Sequence, residues 1–111
     1  MAGKFVISKR SNGDFQFNLK AGNGQVILAS QGYADKAGAR NGVESVRKNS
    51  ADDGKFERKT SSNGKPFFNL LAGNGQVIGS SEMYESEAAR ENGIKSVMTN
   101  GPEAALVDET A

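Results

Sequence analysis

The sequence predicts an α+β domain built from two tandem β-β-β-α repeats. Three observations carry that prediction. The heptapeptide Ala-Gly-Asn-Gly-Gln-Val-Ile occurs at residues 21–27 and again at 72–78. The offset of 51 residues between the two then runs without a gap through both copies, placing Ser11-Asn12-Gly13 on Ser62-Asn63-Gly64, Phe17-Asn18-Leu19 on Phe68-Asn69-Leu70 and Asn41-Gly42 on Asn92-Gly93. Within each copy the hydrophobic period changes from that of a strand to that of a helix, and agreement this dense marks a structural repeat. A chain of 111 residues has the length of one domain. Repeat 1 is placed at 4–51, repeat 2 at 55–102 and a closing strand at 103–111.

The first predicted strand spans 5–10. Ser11-Asn12-Gly13 is a turn, because Asn and Gly tolerate the positive φ that other residues avoid. Phe15-Gln16-Phe17-Asn18-Leu19 alternates apolar and polar, the signature of a half-buried strand. A three-residue turn sets Phe5 opposite Leu19, Ile7 opposite Phe17 and Phe56 opposite Leu70. A two-residue turn would move the apolar set to the wrong face. Gly22-Asn23-Gly24 is a second hairpin turn, and the third strand follows at 25–30. Its register stays open, since only one of Val26 and Ile27 can share a face with Leu19.

A helix follows Tyr33. Asp35 and Ser86 occupy the same repeat position and are both strong N-cap residues. The inward stripe is Ala39, Val43, Val46, matched by Arg90, Ile94, Val97. Gly42 and Gly93 fall mid-helix, at a cost of ~1 kcal/mol relative to Ala. Either the helix approaches the sheet closely there or it breaks in two. Carried once more, the repeat offset sets residues 55–58 on 106–109. The chain is therefore expected to end on an ordered strand at 106–110 that pairs with the other repeat.

Composition removes several chemistries. There is no Cys and no His, so disulfides, thiolate catalysis, zinc–thiolate sites and the usual proton shuttle are absent. No metal, cofactor or catalytic residue is expected. The formal net charge is +1, low for a dedicated nucleic-acid binder. No apolar run reaches the ~20 residues of a membrane span, and the expected setting is the cytoplasm. Gly22-Asn23-Gly24 joins two strands, unlike a phosphate loop, which leads from a strand into a helix. Asp52-Asp53 and Glu85, Glu87, Glu91 lack the further oxygen ligands of a calcium site. The recurring polar residues Asn18/Asn69, Ser30/Ser81 and Tyr33/Tyr84 are the candidate ligand or structural pairs.

Asn-Gly-Gln-Val-Ile with Ser30/Ser81, Tyr33/Tyr84, Asn41-Gly42-Val43-Glu44-Ser45-Val46 and Asn92-Gly93-Ile94-Lys95-Ser96-Val97 resembles the YegP family of small bacterial proteins of unknown function. The resemblance spans nearly the whole chain. It implies one antiparallel sheet from two β-β-β-α units, with the helices on one face and the C-terminal strands exchanged. It implies no catalytic residues. The copies depart from each other at Leu28/Gly79 and Phe15/Pro66. The expected function is a non-catalytic binding or protein-interaction module, monomeric, whose partner is a protein or peptide bound on the uncovered sheet face. The alternative is weak nucleic-acid binding through Lys4, Lys9, Arg10, Lys20, Lys55, Arg58, Lys59 and Lys65, with Phe15 or Phe67 stacking on a base.

Overall fold

The structure, a computed structural model, describes residues 3–110. Repeat 1 contributes β1 (Lys4–Lys9), β2 (Phe15–Lys20), β3 (Val26–Ser30) and α1 (Lys36–Asn49). Repeat 2 contributes β4 (Phe56–Thr60), β5 (Pro66–Leu71), β6 (Val77–Ser80) and α2 (Glu87–Asn100), and β7 (Ala105–Asp108) closes the chain. The seven strands form one sheet in the order β4-β5-β6-β3-β2-β1-β7.

The first hairpin of each repeat has the expected register: Phe5↔Leu19, Ile7↔Phe17 and Phe56↔Leu70. Its three-residue loop closes with Arg10 N–H donating to the Asp14 carbonyl at 2.6 Å and Gly13 N–H donating to the Arg10 carbonyl at 3.0 Å. The last loop residue, Gly13, has φ of 93°, which an L side chain would resist. In the second hairpin a bulge resolves the open choice. Leu19 pairs with Leu28 and Lys20 with Val26, leaving Ile27 as the extra residue. Ile27 and Leu28 are thereby both buried, and Val26 turns out to solvent.

The two halves meet where β3 pairs antiparallel with β6 through Ala29↔Ser80 and Ser30↔Gly79. Ala29 and Ser80 are repeat equivalents, so the pseudo-twofold axis passes through that pair. Leu28 and Gly79, also equivalents, flank the axis. A Cβ on Gly79 would stand 2.9 Å from the Ala29 carbonyl oxygen and 3.0 Å from Leu28 Cγ. One leucine fills the seam, and its counterpart has to be glycine. The result is a single core that runs from Phe5, Phe17 and Leu19 through Leu28 to Phe68, Leu70 and Ile94.

Both helices are continuous over 14 residues, so Gly42 and Gly93 do not break them. A Cβ on Gly42 would fall on the Tyr33 hydroxyl and 2.7 Å from Phe17 Cε2, and one on Gly93 would fall on the Tyr84 hydroxyl. The close neighbour is thus mainly an aromatic ring rather than sheet backbone. The caps are as predicted: Asp35 Oδ1 accepts from Gly38 N–H at 2.7 Å and Ser86 Oγ from Ala89 N–H at 3.1 Å. Ala39, Val43, Val46, Ile94 and Val97 face the core. Arg90 keeps its place on the inward stripe with its side chain largely buried, while its head donates to Glu91 at 3.2 Å and to the Lys59 carbonyl at 3.4 Å, over the β4 edge.

A strand follows each helix and pairs with the other repeat. The chain leaving α1 becomes β4, antiparallel to β5. The chain leaving α2 becomes β7, which lies parallel to β1 with Phe5↔Leu106 and Val6↔Val107. The sheet is therefore mixed, not wholly antiparallel. The reason is that β1 already fills the antiparallel slot beside β2, so β7 takes the next position outward. Helix α1 clamps it there. Lys36 Nζ and Arg40 Nη2 stand 3.0 and 3.3 Å from Asp108 Oδ2, and Arg47 Nη2 donates to the Ala104 carbonyl at 2.8 Å.

The Thr110 hydroxyl and backbone N–H, and then Lys36, hold the Asp108 carboxyl well below the usual carboxylate range. For a depressed value, the stabilisation is complete above the unfolded-state pKa of about 4 and is lost as the pH falls through the folded one. β7 should stay docked at neutral pH and loosen in acid below about pH 4. The Glu109 N–H, which donates to the Ile7 carbonyl at 3.0 Å, reports on this. Asp108→Asn should speed hydrogen exchange of that amide already at pH 7 and flatten its acid dependence. Unchanged protection would show that the clamp is not electrostatic.

Candidate functional site

The seam carries each hairpin tip of one repeat to the helix of the other, and a groove opens at each meeting. The first groove, of about 340 Å³, lies between α1 and the β5–β6 hairpin. Tyr33, Asn41, Gly42 and Ser45 come from repeat 1, and Ala72, Asn74, Gln76, Val77 and Ile78 from repeat 2. The second, of about 200 Å³, lies between α2 and the β2–β3 hairpin, with Tyr84, Asn92, Gly93 and Ser96 facing Ala21, Asn23, Gln25, Val26 and Ile27. Every one of the 11 lining residues of the first groove has its repeat equivalent in the second. The pairs differ only at Gln31/Glu82 and Gly38/Ala89. The repeated heptapeptide that organises the sequence is the hairpin wall of both grooves.

The lining residues sort by what the fold already uses. Asn23 and Asn74 each accept from the backbone N–H two residues on, at 3.0 Å, so their side-chain oxygens are committed to the turn. Ser45 and Ser96 accept weakly, at 3.3 Å, from the buried Asn49 and Asn100. Tyr33 stacks on Phe17 and Tyr84 on Phe68, both with ring centroids 6.2 Å apart. Burial pushes the pKa of both hydroxyls above the ordinary tyrosine value, and for Tyr84 the Glu82 carboxylate adds to the effect. Both stay protonated at neutral pH. Asn41, Asn92, Gln25 and Gln76 are exposed, and among the described residues their carboxamides take no part in the side-chain hydrogen bonding of the fold.

The candidate residues named from sequence occupy three different places. Tyr33 and Tyr84 stand one in each groove. Ser30 and Ser81 lie inside the fold: each accepts from a strand N–H, Phe17 at 2.8 Å and Phe68 at 3.0 Å, and donates to the carbonyl of the next residue. Asn18 and Asn69 face outward on the helix-free side of the sheet. There they belong to one cross-strand row, Glu57-Asn69-Ser80-Ala29-Asn18-Val6-Val107. Asn69 donates to Glu57 at 3.1 Å and accepts from Ser80 at 2.6 Å, whereas Asn18 sits between Val6 and Ala29. The two asparagines are therefore equivalent in position but not in surroundings.

The polar groove residues Asn41/Asn92 and Gln25/Gln76 were not singled out from sequence. A signal existed. They are repeated exactly, yet fall off the apolar stripe of the helix and at the exposed tip of a hairpin, where packing does not require them. The basic residues of the strands are dispersed rather than gathered. Arg10 donates to Gln16 at 2.6 Å, Arg58 is paired with Asp53 and Glu91, and Lys65 with Glu85. Phe15 packs against the core with Lys9 over its ring at 5.6 Å, while Phe67 is half-exposed on the open face. Among the described residues no cluster of three His, Cys, Asp or Glu side chains could hold a metal, and no helix is long and apolar enough to cross a membrane.

Comparison with known proteins places these features in a family. The family described as "Domain of unknown function (DUF1508)" matches residues 11–57 and again 61–108, each match ending on the strand that follows a helix. A UPF0339 protein of Stutzerimonas stutzeri, named for the ptx operon 5′ region, is 55% identical over 108 residues, 97% of either chain. The solution structure of a UPF0339 protein from Shewanella oneidensis superposes with a TM-score of 0.91 at 53% identity, covering 97% of this chain and 92% of that one. The solution structure of the Escherichia coli protein of unknown function YegP gives 0.93 at 50% identity, covering 98% and 94%.

Substitutions should separate structural from available residues. Ser30→Ala or Ser81→Ala strands a buried N–H and should cost about 1–3 kcal/mol in urea unfolding. Asn41→Ala and Asn92→Ala should change stability by less than about 0.5 kcal/mol, as surface changes do. A large loss at Asn41 would make that residue part of the fold instead.

Proposed function

This chain belongs to the DUF1508 family, as two copies in tandem, and from that premise we propose that it is a non-catalytic binding module whose two inter-repeat grooves are the ligand sites. One observation carries the proposal. The same uncharged polar set is assembled twice, across the repeat boundary, from side chains that folding does not consume. Folding inside each unit would explain repeated core residues. It gives no reason to keep an exposed Asn on each helix and an exposed Gln on each hairpin, arranged face to face. Recognition sites in general combine an apolar floor with a few polar groups, here Ile78 or Ile27 beneath the carboxamides.

The chemistry favours binding over turnover. Tyr33 and Tyr84 hold their protons, and among the described residues neither hydroxyl is hydrogen-bonded to a base that could activate it. Dispersal of the basic side chains weighs against nucleic acid, whose affinity rests on phosphate contacts. The grooves also replace the open sheet face as the proposed surface, since the outward row there is partly bonded to itself through Asn69. We take the acting unit to be a cytoplasmic monomer, because one chain already supplies both halves of each groove.

Protein labelled with ¹⁵N and placed in unlabelled lysate of its own cells tests this. The amide signals of Tyr33, Asn41, Ser45 and Gln76, or of their equivalents, should broaden or shift. Those of Asn18 and Ala29 should not. An Asn41→Ala/Asn92→Ala variant should lose the response while keeping its spectrum. Changes confined to the open face, or none in the grooves, would refute the proposal.

A further inference from the structure

Given that the grooves are binding sites, the reading this inference rests on, their lining also limits what can occupy them. Among the described residues, the lining of the first groove includes no charged side chain. It has no cation for phosphate or carboxylate and no anion for an amine. Its one aromatic residue, Tyr33, is stacked on Phe17 with the hydroxyl end over Gly42, which leaves at most one ring face for a ligand. A sugar held by aromatic stacking is therefore poorly served.

What the groove does offer is carboxamide on two facing walls. Asn41 stands on the helix, and Asn74 and Gln76 stand on the hairpin. A carboxamide sets a donor and an acceptor side by side, the same pair that a peptide bond presents. Asn41 and Gln76 have both to offer. Asn74, its oxygen spent on the turn, keeps its N–H₂ for a carbonyl. The helix wall runs from Gly38 to Ser45, about 10 Å at 1.5 Å per residue. That is the length of about three extended residues. The volumes, about 340 and 200 Å³, lie at or below the small end for enclosed small-molecule sites. A short length of chain passing through suits them better than a whole ligand enclosed.

The two grooves differ at one polar position. Gln31 of the first is Glu82 in the second, where the carboxylate is close enough to influence the Tyr84 hydroxyl. We infer that each groove holds an extended peptide segment by its backbone amides, and that Glu82 makes the second groove prefer a segment carrying a basic side chain. One chain would then hold two stretches of peptide, one neutral and one basic.

Titration of ¹⁵N-labelled protein with two capped pentapeptides tests this, one of Ala and Asn and one with a central Lys. A soluble neutral oligosaccharide serves as the third probe. Both peptides should shift Asn41 and Gln76, and the Lys peptide should bind at Asn92 and Gln25 roughly two- to fivefold more tightly than the neutral one, the range of an exposed charge pair. Glu82→Gln should abolish that preference, and Gln31→Glu should create it in the first groove. Equal binding of the two peptides at the second groove would overturn the charge assignment. Groove shifts with the oligosaccharide alone would overturn the peptide assignment and leave the groove reading standing. No groove shift from any probe at millimolar concentration would overturn the inference, while the lysate experiment decides separately on the grooves.

Discussion

The pairing of Ala29 with Ser80 is the contact on which the rest of this molecule depends. It joins the three strands β4-β5-β6 to the four strands β3-β2-β1-β7 in one seven-stranded sheet. It also fixes the pseudo-twofold axis, because the two residues are repeat equivalents. From that axis follow the continuous core, the crossing of each hairpin to the opposite helix and the two grooves. Leu28 over Gly79 seals the joint, one side chain filling the space where symmetry would call for two.

Away from the axis the halves diverge. Beside β1, the clamp residues Lys36, Arg40 and Arg47 hold β7. Their repeat equivalents beside β4 are Glu87, Glu91 and Met98. Ile7, buried at the first edge, is replaced by Arg58, which pairs with Glu91 at 2.9 Å and Asp53 at 3.0 Å. Among the described residues no strand lies outside β4. Its sequence, Phe-Glu-Arg-Lys-Thr, and the Arg90 head above it make a charged edge, and charge at an edge discourages pairing with another chain. The acidic positions on α2 would also repel the Asp108 of a second copy. The β1 side is extended by β7, which forms the second edge of the sheet, and the β4 edge is guarded by charge.

Much of the fold was legible in the sequence, for reasons tied to particular residues. Gly13 and Gly64 announced positive φ, Phe5 and Ile7 set the first register, and Asp35 and Ser86 marked the helix starts. The repeat offset, carried past the second helix, pointed to the terminal strand. Three features were not legible. The bulge at Ile27 lets two consecutive residues share the core, which a strict period of two forbids. The parallel course of β7 depends on which slots in the sheet are already taken. Gly42 reflects a tyrosine ring at a distance that sequence spacing does not encode. Of the candidate residues, the tyrosines stand in the grooves, whereas Ser30 and Ser81 proved to be backbone partners. The grooves themselves depend on how one repeat crosses the other, a relation between halves that neither half contains.

The most direct measurement is the urea midpoint of Gly79→Leu, which restores the sequence identity of the two copies at the seam. The structure predicts a loss of about 1–3 kcal/mol, the usual cost of overpacking. Amide shifts should appear at Gln25 and Gln76 together, because one joint builds both grooves. A variant as stable as the parent, with the two hairpin tips undisturbed, would contradict the central role given to this seam.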